Sequence, residues 1–295
     1  MEERRWKEVC AIIRRLARRK STREDFGDGD IAGVYYWAVI HDRPQGWATA
    51  RENWPIHQRR GRKLPSQPTL SRRIRTPRML DLFKRIEAEV LDLKTEAQRP
   101  LVHYVDGKPL AISRISKDRH AGYGWGAGGM VKGYKIHALL GENKILSAWR
   151  LTPMNTSEKT MARRMVRAAR PQGYLIGDGN YDDRHLHEEC ATQGELQLVA
   201  PRNKPGSGLG HRVKNPGRLR SIELLEISQT GFGARLLKDR NAVERWFGWT
   251  VSYGGGLTTL PPWVRTYPRV SRWVSAKLVL AALKFATHKT TYVAT

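Results

Sequence analysis

Apolar residues recur at helical spacing through residues 1–20, at Trp6, Val9, Ile12, Ile13, Leu16 and Ala17, with Arg and Lys filling most of the opposite face. This predicts an amphipathic helix. A break rich in Gly and Asp covers residues 25–33, and the apolar, aromatic stretch 31–40 predicts a short second helix that His41-Asp42-Arg43-Pro44 ends. Another short helical piece spans residues 47–54, before the basic turn 58–63. In Leu64-Pro65-Ser66-Gln67-Pro68-Thr69-Leu70-Ser71-Arg72-Arg73-Ile74-Arg75, Pro68 suits a first helical turn, with Ser66 or Gln67 near the cap. Leu70 and Ile74 then face inward, which leaves Thr69, Ser71, Arg72, Arg73 and Arg75 near the exposed side. The segment reads as the second half of a helix-turn-helix, placing those five residues at phosphates and base edges. A solvated basic helix is the plainer alternative. Residues 79–97 predict one more amphipathic helix, a connector.

The pattern changes near residue 100. Residues 102–105, 134–140, 145–151, 174–176 and 196–200 each read as strands, and 157–170 and 183–193 as helices between them. Mixed order of this kind predicts a layered α/β domain. Residues 122–133 are glycine-rich and lack the Gly and Lys order of a phosphate-binding loop, so a hairpin or loop is expected. Residues 201–221 hold six Lys/Arg, beginning with Arg202 and Lys204, and no acid. Such a run is a solvated loop or a phosphate-contacting arm. Helical spacing returns around Glu244 and again over residues 270–287. The chain thus divides into a helical domain, 1–97, and an α/β domain, 98–295.

Charge sharpens this picture. Lys and Arg number 53 against 28 Asp and Glu, a net charge of +25. The expected partner is a polyanion, nucleic acid before an anionic membrane surface. No apolar run reaches the roughly 18 residues that a spanning helix needs, and the first residues lack the apolar core of a leader. Cys10 and Cys190 form no metal spacing and require no disulfide, so a reducing cytoplasm is expected.

Against that basic background three acids stand out. Asp106 ends the apolar run 101–106, Asp178 ends the run 174–178, and Glu244 lies in a helical segment. Two strand-end aspartates and a helical glutamate can converge on divalent metal. Phosphodiester chemistry needs an activated nucleophile and a stabilised leaving oxygen, which two Mg²⁺ about 4 Å apart supply. Taken singly, each acid reads as a turn, cap or ion-pair residue. Asp118, Asp182 and Asp183 compete; the last two resemble a helix cap. His185, His187, Glu188 and Glu189 match no common zinc spacing, and His137 reads as structural.

At these residues the chain resembles the bacterial insertion-sequence transposases that carry a DDE triad on an RNase H-like fold. Tyr104-Val105-Asp106-Gly107 resembles the first motif, and Gly133-Tyr134-Lys135-Ile136-His137 the second strand. Leu151-Thr152-Pro153-Met154-Asn155 resembles the strand-to-helix turn. Gly177-Asp178-Gly179-Asn180-Tyr181-Asp182 resembles the second-acid motif, and Arg240-Asn241-Ala242-Val243-Glu244-Arg245-Trp246-Phe247 the Arg-x-x-x-Glu signature. The resemblance implies an RNase H-like mixed sheet flanked by helices, behind an all-α end-binding domain. It implies Mg²⁺, replaceable by Mn²⁺, held by Asp106, Asp178 and Glu244. Cleavage at terminal inverted repeats and strand transfer into target DNA follow from it, with Arg240 and Arg245 against DNA and a homodimer pairing the two ends. One departure is that Thr250-Val251-Ser252-Tyr253-Gly254-Gly255-Gly256 lacks the basic residues expected after the glutamate, a role that Arg265, Arg269 and Arg272 could take. Asn180 stands where glycine is common. A DNA-binding regulator on the same scaffold and an RNase H-like nuclease stay open.

Overall fold

The computed structural model describes all residues except 1, 60, 92–99, 127, 143–145, 203–214, 227–231, 253–255, 258 and 293–295. The first compact unit begins with α1 (Glu2–Leu16), α2 (Asp28–Ile40), α3 (Gln45–Thr49), a 3-10 turn (Arg51–Asn53), α4 (Ile56–Arg59), α5 (Gln67–Arg73) and α6 (Pro77–Val90). Helix α2 is buried from Ile31 to Ile40, as a helix apolar on every side must be. Three tryptophans seal it: Trp37 stacks on Trp54 at 4.7 Å between ring centres, and Trp6 meets both edge-on. The Ser66 side chain caps α5 by accepting from the Thr69 amide, with Pro68 in the first turn, as the sequence predicts.

The second compact unit is a six-stranded mixed sheet. It contains β1 (Val102–Ala111), β2 (Gly122–Gly126), β3 (Gly129–Gly141), β4 (Leu146–Pro153), β5 (Gly173–Ile176) and β6 (Leu196–Val199). The glycine-rich stretch is therefore a hairpin, β2 to β3. Strand order is β2-β3-β1-β5-β6, with β4 also on β3. The first strands pair antiparallel, while β1, β5 and β6 run parallel. Antiparallel neighbours need only hairpins, whereas the parallel pairs need crossovers. Helices α7 (Glu158–Ala169) and α8 (Arg184–Thr192) make those crossovers. They bury Met165, Val166, Leu186 and Cys190 against Val105, Leu139, Leu175 and Leu198 of the sheet. Beyond β6 come α9 (Pro216–Glu226), α10 (Phe232–Asp239) and α11 (Asn241–Ser252). Part of the basic stretch 201–221 is thus helix; residues 203–214, including Lys204, lie outside the described residues.

The chain then returns to the first unit through α12 (Tyr267–Tyr292). By contacts the two units are Met1–Asp92 with Thr250–Thr295, and Leu93–Trp249. The sequence pattern alone divides the chain once, near residue 97, and leaves the last helix with the α/β part. Packing corrects that assignment: α12 lies on α1, α2 and α6 and buries Val270, Val274, Leu278 and Val279. Its Lys277 is buried and donates to the Val39 carbonyl at 2.8 Å and to Asp42.

Candidate active site

Asp106 lies in the middle of β1, opposite Ala138 of β3. This corrects the expectation that it ends a strand. The strand continues through Gly107, Lys108 and Pro109 to Ala111. Parallel pairing of β1 with β5 stops at Tyr104 and Ile176. Asp106 and Asp178 each follow that last pair by two residues, and the charge of Asp178 reaches Asp106. Asp178 leaves β5 as the cap of a 3-10 turn (Gly179–Tyr181), its Oδ1 accepting the Asn180 amide at 2.9 Å.

Side chains alternate across a sheet, so Asp106 and Lys108 share one face and Val105 and Gly107 the other. Helix α11 serves the first face: Lys108 Nζ lies 5.9 Å from the Phe247 ring centre, and Glu244 stands three residues earlier on the helix. Helix α7 serves the second. Its first residue, Glu158, follows the Ser157 cap, accepts Lys135 Nζ at 2.5 Å and accepts Asn180 Nδ2 at 2.9 Å. A Cβ on Gly107 would lie 3.0 Å from Glu158 Oε1, so glycine there lets this carboxylate lie against β1.

Asp106 feels the other three acids. Burial first, then the charges of Glu158, Asp178 and Glu244, push the Asp106 carboxyl up from 3.8 to about 6, against one lowering hydrogen bond from the Gly107 amide. The Gly107 amide donates to Asp106 Oδ1 at 2.7 Å. The donor set fits a divalent cation, because hard ions prefer carboxylate oxygens and a cation would relieve the repulsion that raises Asp106. As they stand, no three His, Cys, Asp or Glu side chains among the described residues are grouped closely enough to hold a metal ion. Glu244 explains part of this: it is 60% exposed and pairs with Arg240 at 3.7 Å.

A family model described as a transposase DDE domain matches residues 98–260, more than half of the chain. The chain belongs to the transposase DDE domain family. That membership agrees with the mixed sheet flanked by helices, an architecture consistent with the expected RNase H-like fold. The family generally uses divalent metal ions and implies DNA as partner. No curated protein matches the chain.

Within this transposase-family unit the competing acids have other partners. Asp118 is buried and accepts from Tyr134 Oη at 2.8 Å and from the His120 amide. Asp183 caps α8, but Asp182 does not: it receives Arg218 through two bonds at 2.7 and 2.8 Å, with His187 beside it. Glu188 pairs with Arg184 and His185, and Glu189 with Arg167, so that acidic helix face is taken up in ion pairs. His137 is buried on Thr152 Oγ1 at 2.9 Å, and burial holds its titration down at about 4.

The residues expected at DNA divide similarly. Arg72, Arg75 and Arg245 are exposed, and Arg75 donates to the Ser71 carbonyl. Thr69 and Ser71 are half-buried, Thr69 accepting from the Ser66 hydroxyl. Arg73 is not on the exposed side: it turns inward to the buried Asp28 carboxylate at 2.9 Å and to the Phe26 carbonyl. Arg202 pairs with Glu226 at 3.4 Å. Arg265 and Arg269 spend donors on the carbonyls of residues 260–264, closing the turn before α12. Sequence reasoning missed Glu158. Its only local signal is Ser157-Glu158 at a helix start, which any capped helix shares.

Proposed function

We propose that the chain is the transposase of an insertion sequence, with Asp106, Asp178 and Glu244 as its metal-binding acids. Support comes chiefly from the parallel register of β1 and β5, which sets Asp106 and Asp178 each two residues beyond the last pair, inside the stretch that matches the transposase DDE domain. In this reading Asp106, Asp178 and Glu244 would hold Mg²⁺, or Mn²⁺ in its place, which would supply the charge to activate water and steady the leaving oxygen. The protein's own part is to hold the acids in register. Strands β1 and β5 fix two of them, Asn180 ties the Asp178 turn to Glu158, and Lys135 neutralises Glu158. Lys108, beside Asp106 on the same sheet face, faces a scissile phosphate, and Arg240, once released by Glu244, is free for a neighbouring one. The N-terminal helices, with Arg72 and Arg75 of the helix-turn-helix segment outward, bind the terminal inverted repeats, and two copies pair the two ends.

The test is cleavage of a plasmid carrying the element's own flanking repeats, by purified protein with Mn²⁺ or Mg²⁺. Asp106→Ala abolishes nicking and leaves binding to the repeat nearly intact. Equal nicking by the variant would move the active site elsewhere. A second reading, a non-cutting DNA-binding regulator, draws on the Arg240–Glu244 pair and the unconverged acids. It predicts repeat binding with no Mn²⁺ site that depends on Asp106.

A further inference from the structure

The hairpin of β2 and β3 presents a face that the proposed chemistry leaves unused. In Gly122-Tyr123-Gly124-Trp125-Gly126 every second residue is glycine, and each of the three is required by close packing. A Cβ would come within 2.3 Å of Asn155 Oδ1 at Gly122, 2.7 Å of Met154 Cγ at Gly124 and 2.8 Å of Val131 Cγ2 at Gly126. With one face of the strand pressed against residues 154–155, Tyr123 and Trp125 must project from the other. The cross-strand pairs complete that face: Trp125 lies opposite Met130, and Tyr123 opposite Lys132. Tyr123 is 53% exposed, Trp125 75% and Met130 52%. Lys132 Nζ lies 5.6 Å from the Tyr123 ring centre and is held there by the Ser116 carbonyl.

Two open rings, a methionine and a fixed ammonium form a stacking platform with a positive edge. The occupant is narrowed by charge. Residues 119–141 contain no Asp or Glu, and the whole chain carries +25, so a second copy would meet like charge. An acidic polymer with flat apolar faces fits both properties, and DNA with unpaired bases is such a polymer. A fully paired duplex hides those faces inside its stack. Strand β3 carries the platform at residues 130–132 and the partner of Asp106 at residue 138, so one rigid strand connects the two.

We propose that the Tyr123–Trp125 face of this hairpin stacks on unpaired bases of the DNA strand that the protein handles. The inference rests on the transposase reading above for its polymer, and on the hairpin alone for its mode of contact. It is tested with the full-length protein in EDTA at one fixed salt concentration. The readout is anisotropy of labelled single-stranded oligonucleotide and of fully paired duplex of the same length and sequence. Trp125→Ala and Tyr123→Ala each weaken single-strand binding by roughly tenfold, Trp125→Phe keeps most of it, and duplex binding is unchanged. Equal single-strand affinity in the Trp125→Ala variant overturns the proposal and leaves the transposase reading standing. Equal loss for duplex and single strand also overturns it, since the side chain would then act without regard to base pairing. If sedimentation shows wild type self-associating and Trp125→Ala monomeric, the face is a protein contact and the proposal fails. Wild type that binds neither DNA sinks both readings.

Discussion

Asp106→Asn offers the most direct measure of the strain held in the carboxylate group. The native chain keeps the Asp106 proton up to about 6, whereas the unfolded chain releases it near 3.8. Between those values the folded state binds more protons, so this residue's contribution to stability falls as pH rises through the window, and stays low above it. At roughly 1.4 kcal/mol per tenfold change in acidity, the full penalty is about 3 kcal/mol near pH 7.5 and about half of that near pH 5. Asp106 keeps some contact with solvent, which lowers the expected gain to about 1–2 kcal/mol at the higher pH. Asparagine at this position cannot ionise and still accepts from the Gly107 amide. Urea unfolding in EDTA, followed by far-UV circular dichroism, should therefore find Asp106→Asn more stable than wild type at neutral pH, by a margin that shrinks toward pH 5. Adding Mn²⁺ should reverse the order, since a ligand at a hundredfold its Kd stabilises the form that binds it by about 2.7 kcal/mol. A margin independent of pH, or a variant less stable than wild type in EDTA, would mean that burial and the neighbouring acids do not strain the Asp106 carboxylate.

Glu158→Gln removes one of the three charges that raise Asp106, so Asp106 should titrate below about 6, read by carbon NMR of its carboxyl. An unmoved titration would separate Glu158 from the site. Arg218→Ala removes both Arg218 bonds to the buried Asp182 carboxylate and should destabilise the sheet unit, by roughly 1–3 kcal/mol in urea unfolding. Stability equal to wild type would mean that Asp182 is neutral or solvated. Burial pushes Lys277 down to about 8, so the folded chain gives up that proton earlier than the unfolded chain does. Stability should consequently rise with pH from about 8 toward 10 in wild type and not in Lys277→Met; parallel profiles would contradict it.

Much of this arrangement is legible in local chemistry. Ser66, Ser157 and Asp183 each sit where a helix must begin, and each accepts a bond from the amide three residues on. The strand containing Asp106 looks shorter in the sequence than it is, because Gly107 and Pro109 are strand breakers in isolation. They are tolerated because β5 pairs with β1 only as far as Tyr104, leaving an open edge beyond it, where proline sacrifices least. Arg73 misleads for a different reason. Helical spacing puts it beside the outward arginines, but Asp28, 45 residues earlier, carries a buried charge that needs it. Glu158 and the return of α12 are likewise products of distant contacts, to which a periodicity in one segment is blind.

That return of α12 also sets an order of events during synthesis. All of the sheet unit is encoded before residue 250, while the helical unit waits for Val270, Val274 and Leu278 to cover its core. The sheet that carries Asp106 and Asp178 can therefore fold on the ribosome before the N-terminal helices are finished. A message truncated near its end yields a protein with an intact sheet and an unsealed helical unit. A fragment stopping at residue 92, the obvious choice for isolating the first helices, would expose the surface that α12 covers.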